Sequence, residues 1–207
     1  MSYQLTEQSF LKDVADCQMH ILMDNGLYRH IRFKRPDTGC YHFDIVTYPS
    51  YLVYSGDMGC FVFSRLPDMF QFFRVDGEHL RDGQTLGINP DYWSEKLQAV
   101  DKGDGYKEYS QEKFEQIVNE YVDEYIEDAE LRDSQIAVGL REAVGDEVIN
   151  CGESQQDAYD AASNFSHGDF EFRDFWERDL TEYTHRFIWC CYALAWGIKQ
   201  YDATKTR

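Results

Sequence analysis

Basic residues are the scarce class. Lys and Arg number 20 against 38 Asp and Glu, a formal net charge of −18 over 207 residues. A phosphate-neutralising surface needs clustered Lys and Arg, so direct nucleic-acid binding is not expected. An anionic membrane repels a chain of this charge. The sequence also lacks the run of about 18 apolar residues that a transmembrane helix requires. The opening MSYQLTEQSFLKD has no basic segment leading into an apolar one, so it does not read as a secretory signal. Cys17, Cys40, Cys60, Cys151, Cys190 and Cys191 form no C-x-x-C pair. They are expected as reduced thiols of a cytoplasmic protein, most of them buried as small hydrophobes. P-loop, dinucleotide, nucleophile-elbow and H-E-x-x-H signatures are all missing. Disorder is excluded by what the chain does have, 16% aromatic and 43% hydrophobic residues.

The first half reads as β structure. Thr6 is a candidate N-cap for a short helix within 5–15. Segments 18–23 and 27–33 flank Asp24, Asn25 and Gly26, and Asn-Gly is a strong hairpin signal. Strands follow at 40–47, 51–54 and 60–64, giving an antiparallel meander of four or five strands. Residues 67–74 read as a short helix or apolar plug. Residues 76–105, rich in Gly, Asp, Asn and Pro, read as a loop region with one short helix near 93–100.

The second half reads as helical. Phe114, Ile117, Val118, Tyr121, Val122, Tyr125 and Ile126 fall at i, i+3, i+4, i+7 spacing within 111–129, with Ser110 as N-cap. Further helices are expected at 132–144, at 154–165 capped by Ser154, and from about 172 to 201. The last is nearly all apolar over 187–196, which calls for burial on most sides. The fold class is therefore α+β, an N-terminal antiparallel sheet packed with a C-terminal helical part. The expected subdomains are 1–105 and 106–207, within one compact unit. Tyr192, Leu194, Ala195 and Ile198 are expected to share a core with Phe114, Ile117, Tyr121 and Tyr125.

Charge is distributed unevenly. Residues 1–100 hold 13 acids and 9 bases, whereas 101–207 hold 25 and 11. In the helix at 111–129, Glu112, Glu115, Glu120, Asp123, Glu124, Glu127 and Asp128 lie off the apolar stripe. No Lys or Arg stands between Phe114 and Glu130. Like charges three or four residues apart on a helix cost a few tenths of a kcal/mol per pair. Two readings follow: a solvated face, or a surface that imitates nucleic acid and occupies a basic cleft. The second names Glu120, Asp123, Glu124, Glu127 and Asp128 as partner-binding residues.

Other constellations are less specific. Gly56-Asp57-Met58-Gly59 is too short for a phosphate loop and reads as a hairpin turn. His30, His42, Asp44 and Asp57 can converge on adjacent strands, the basis of an alternative small-ligand or enzymatic reading, but their spacing is not diagnostic of a metal site. Arg29, Arg32, Lys34 and Arg35 form the one basic cluster, expected to pair internally with the acidic helices. Glu171, Asp174, Glu177, Arg178 and Asp179 offer carboxylates for a divalent ion without fixing a geometry. No catalytic residue, metal or cofactor is expected from these patterns.

Several segments carry a resemblance: LYRHIRF (27–33), FDIVTYP (43–49), YSGDMG (54–59), FVFSR (61–65), DMFQFF (68–73) and RFIWCCYALAWGIKQYD (186–202). Together they resemble a family encoded by phages and prophages of Gram-negative bacteria, over most of the chain. These motifs carry no assigned catalytic roles. The resemblance implies a small acidic accessory protein similar in character to anti-restriction and anti-CRISPR inhibitors, some of which mimic DNA. It implies a non-enzymatic protein of the host bacterial cytoplasm, whose partner is the basic surface of a host defence or nucleic-acid-binding protein.

Overall fold

The computed structural model describes residues 5–75, 80, 83–103, 105–131 and 134–205. The chain divides into two units, one formed by Met1–Lys107 with Tyr183–Arg207 and the other by Glu108–Glu182. This differs from the division expected at 105/106, because the C-terminal helix returns to the N-terminal sheet.

The first unit is built on a six-stranded antiparallel meander in sequence order. Its strands are β1 (Gln18–Asn25), β2 (Tyr28–Lys34), β3 (Phe43–Tyr48), β4 (Tyr51–Gly56), β5 (Gly59–Ser64) and β6 (Leu97–Val100). Gly26 supplies the positive φ, +61°, that the first position of the β1–β2 turn demands. Alternation sets the buried face. Arg29, Ile31 and Phe33 of β2 are buried while Tyr28, Arg32 and Lys34 are exposed. Register then aligns whole rows: Ile31 opposes Ile45, Ile45 opposes Tyr54, and Tyr54 opposes Phe61. The sixth strand lies in the segment read from sequence as a loop with a helix near 93–100. The helix there, α3 (Pro90–Ser94), is one turn earlier and capped by Asn89.

Against the buried face lie helices α1 (Glu7–Asp13), α2 (Met69–Phe73) and α7 (His185–Lys205). Thr6 caps α1 in a reciprocal capping box with Ser9. In α7, Phe187, Trp189, Cys190, Cys191, Ala193, Leu194 and Ile198 are all buried, as a helix apolar on most sides requires. Gly197 marks the closest approach to the sheet. A Cβ there would stand 2.8 Å from Ile45 Cδ1 and 3.1 Å from the Phe33 ring. Phe10 of α1 stacks on Tyr192 at 5.6 Å and meets Trp189 edge-on at 5.0 Å. Of the cysteines only Cys190 and Cys191 are buried. Cys17 and Cys60 are half-buried and Cys40 and Cys151 exposed, which corrects the expectation that most are core residues.

The second unit contains α4 (Gln111–Asp128), α5 (Gln135–Glu147), α6 (Gln155–Asn164) and a short ladder of β8 (Ser166–His167) with β9 (Phe170–Glu171). Ser110, Ser134 and Ser154 cap the three helices. The start of the helix expected at 132 falls on residues 132–133, outside the described ones. Phe114, Val118, Val122 and Ile126 of α4 are buried with Leu140, Val144, Ala158 and Ala162. Phe165, Phe170, Phe172 and Phe175 complete this core. Residues 172–184 are therefore not the start of the last helix. They are irregular, with a turn at Phe175–Glu177 and strand β10 (Thr181–Tyr183) pairing with β7 (Lys107–Tyr109). The expected joint core of α4 and α7 is also corrected. Tyr192, Leu194 and Ile198 belong to the core of the first unit, and Phe114, Ile117, Tyr121 and Tyr125 to that of the second.

Candidate functional site

Charge separates along the unit boundaries more sharply than along the halves of the sequence. Glu108–Glu182 holds 22 Asp and Glu against 5 Lys and Arg, a net −17. The remaining residues hold 16 against 15, a net −1. Almost all of the excess charge thus resides in the unit organised around α4.

Helix α4 sorts this charge by periodicity. Its buried residues recur every fourth position, from Phe114 to Ile126. That leaves Glu112, Glu120, Asp123, Glu124, Glu127 and Asp128 exposed, with Glu115 half-buried. Of the five residues read as partner-binding, all are therefore at the surface. They are not equivalent, however. Asp123 is ion-paired to Arg141 of α5 at 2.6 Å. Glu120 accepts a hydrogen bond from Gln116 Nε2 at 2.8 Å. Arg178 lies over the Tyr121 ring at 4.9 Å and donates to its hydroxyl, within the fields of Glu124 and Glu120. The negative field is also felt inside the unit. The Tyr109 hydroxyl, burdened first by burial and then by Glu115 and Asp157, has its pKa pushed up to about 12.

The segment after α6 completes this surface. Phe175 is fully buried, its ring 6.1 Å from Phe114 and 5.7 Å from Tyr121. Its neighbour Trp176 is 63% exposed. The carboxylates expected here as a divalent-ion site do not converge on one point. Glu171 holds Arg173 at 3.0 Å, and Asp179 accepts from Thr181 N and Oγ1. In the sequence, residues from about 172 onward read as the start of the last helix, which gives Trp176 no separate role. The signal lay in FSHGDFEF (165–172), where Gly168 takes φ +61° in the β8–β9 turn and Phe170 and Phe172 share a parity.

The His-bearing sheet residues are held in local contacts. Asp44 accepts from Arg32 at 2.8 and 2.7 Å and contacts His30 Nε2 at 2.9 Å. Burial raises the Asp44 pKa, and these two partners more than offset it, leaving the value below the ordinary one. Asp57 accepts from Tyr41 N and His42 Nδ1 contacts Gly39 O, so the four residues do not converge. Among the described residues no group of three or more His, Cys, Asp or Glu is placed to hold a metal. The basic cluster pairs inside the first unit rather than with the acidic helices as expected. Arg29 binds Asp68, Arg32 binds Asp44, and Arg35 donates to Asp13 O.

No helix among the described residues is long and apolar enough to cross a membrane. Comparison with family models, with curated proteins and with solved structures finds no match.

Proposed function

We propose that this chain is a phage-encoded, non-enzymatic inhibitor that works in the cytoplasm of the host bacterium. Its acidic second unit occupies the basic nucleic-acid cleft of a defence complex of the restriction or CRISPR kind. The observation that carries the reading is the segregation of charge, net −17 in Glu108–Glu182 against −1 elsewhere. Stability favours mixed signs on a helix, since each like-charge pair costs a few tenths of a kcal/mol. A one-signed face on α4 is accounted for by a partner of opposite sign. Complementary charge accelerates association and selects the partner more than it adds affinity.

The test is phage plating on bacteria that carry a defined restriction or CRISPR system. Expressing the chain is expected to raise plating efficiency under one such system. Replacing Glu120, Asp123, Glu124 and Glu127 together by Gln removes four charges and, of the ion pairs on α4, the exposed one between Asp123 and Arg141. Gln ranks beside Glu and above Asp in helix propensity, so the helix itself is not weakened. That variant is expected to remain folded and to lose protection. Protection by none of the systems, or equal protection by the variant, refutes the reading.

A further inference from the structure

Trp176 is the most exposed of the large hydrophobic residues among those described, at 63%. Two of the other three tryptophans, Trp93 and Trp189, are buried, and Trp196 packs partly buried against the first core. The exposure of Trp176 is built into the backbone. Asp174 adopts a left-handed conformation, φ +52°, and accepts from Glu177 N at 3.0 Å. Arg178 N then donates to Phe175 O at 3.1 Å. This tight turn drives Phe175 into the core, where it packs edge-on or tilted against Phe114, Tyr121, Tyr159 and Phe172. The next side chain is thereby held outward. The segment is fixed beside α4 at Tyr121, whose hydroxyl donates to Arg173 O at 3.1 Å and accepts from Arg178 Nε at 3.1 Å.

We infer that Trp176 is a stacking anchor for the partner, and that the partner's cleft is of the single-strand-binding kind. The inference rests on the nucleic-acid-mimic reading and narrows it. A duplex presents phosphates and base edges, with its base faces hidden in the stack. A single strand presents phosphates and open base faces, and its receptors pair a basic groove with aromatic side chains on which bases stack. The second unit carries both features: carboxylates spaced along α4, and an exposed indole in the segment that Arg173 and Arg178 tie to Tyr121 of that helix. Tryptophan is enriched among residues that dominate interface energies, and the backbone of Trp176 already sits in a hydrogen-bonded turn, so little main chain has to be ordered on docking. The net −17 of this unit selects a basic groove over an apolar one.

The experiment uses the full chain and two capped peptides of equal charge, pentalysine and Lys-Lys-Trp-Lys-Lys-Lys. Affinities are measured at low salt while the indole N–H resonance of Trp176 is followed by NMR. The resonance is assigned by its loss in Trp176→Leu, and the other three indole signals report folding. The tryptophan peptide is expected to bind about tenfold tighter, within the range of one base–aromatic stack, and to shift the Trp176 signal. Trp176→Leu is expected to bind both peptides as the parent binds pentalysine. The quadruple Gln variant is expected to lose pentalysine binding. Equal affinity of the parent for both peptides, or a preference that survives Trp176→Leu, overturns the stacking role. In either case, if pentalysine binding still needs the four carboxylates, the acidic reading stands and a duplex-like partner is indicated. Pentalysine binding unchanged in the quadruple variant overturns the acidic reading itself.

Discussion

Arg29, on the buried face of β2, holds both carboxylate oxygens of Asp68, at 2.8 and 3.1 Å. Asp68 is also the N-cap of α2, accepting from Phe70 N at 3.1 Å. The guanidinium lies 4.5 Å from the Phe70 ring centroid and 5.7 Å from that of Tyr201. The Arg29–Asp68 pair therefore joins the sheet to two helices, α2 through the carboxylate and α7 through the guanidinium. Losing a helix cap costs about 1 kcal/mol, and orphaning a buried charge costs about 3–5. With both side chains slightly solvated, at 10% and 17%, Asp68→Ala is expected to cost about 3 kcal/mol in urea denaturation. Adding Arg29→Met to it should cost less than the two single losses combined, since the orphaned charge is then gone.

The same pair sets an acid limit. Burial raises the Asp68 pKa, but Arg29 and the Phe70 N–H overcome it and hold the value below the ordinary range. Asp44 behaves likewise, burial being offset by Arg32 and His30, and Asp24 is lowered chiefly by Lys205. A depressed folded-state value means that these carboxylates stabilise fully above the unfolded value near pH 3.9. The contribution is lost as pH falls through the lower folded values. Urea midpoints measured from about pH 5 down to pH 2 are expected to fall less steeply for Asp68→Asn than for the parent.

Packing between α7 and the sheet makes Gly197 a sharp probe. Alanine is intrinsically favoured over glycine in a helix by about 1 kcal/mol. Here the added methyl meets Ile45 at 2.8 Å and the Phe33 ring at 3.1 Å. Overpacking of this kind costs about 1–3 kcal/mol, so Gly197→Ala is expected to lower the melting temperature despite the gain in propensity. Leu194→Ala, at a fully buried position, is expected to cost about 2–5 kcal/mol.

Salt should act unequally on the two units. The screening length falls from about 30 Å at about 0.01 M to about 3 Å at about 1 M, and so passes through the roughly 5–6 Å that separates residues three or four apart on α4. Hydrogen-exchange protection within 108–182 is expected to rise between about 0.02 and 0.5 M salt, because self-repulsion is screened. Protection in the near-neutral first unit is expected to change less. An equal response of both would show that the segregated charge does not strain the acidic unit.

Much of this was legible in the sequence wherever period and caps agreed. The N-caps Thr6, Ser110 and Ser154 stand where they were read, and the α4 stripe buries Phe114, Val118, Val122 and Ile126. The exposed acidic positions on α4 follow from the same period. What was not legible was long-range. Strand β6 has only four residues, mostly exposed, and owes its pairing to β5 rather than to an alternation of its own. The apolar run of α7 announces burial but not against what; the strong stripe of α4 is the partner the periodicity suggests, whereas Ile45 and Phe33, more than 140 residues earlier, are the ones it meets. Trp176 is hidden in the sequence because residues from about 172 onward read as the start of the last helix, whereas the turn after a left-handed Asp174 buries Phe175 and exposes Trp176.

That α7 completes the core of the first unit has a consequence for how the chain is made. On the ribosome, residues 108–182 emerge before α7 does, and all the aromatic and aliphatic residues of their core are then available. The N-terminal sheet, synthesised earlier, leaves Phe33, Phe43, Ile45 and Phe61 without their partners on α7 until residues 185–205 are released. The inserted unit is thus the first to be able to mature, and the older strands wait in an exposed state of the sort that chaperones recognise. A released chain ending at residue 182 is expected to show protease protection across 108–182 and cleavage within 18–64. Protection of both would mean that the meander closes without its last helix.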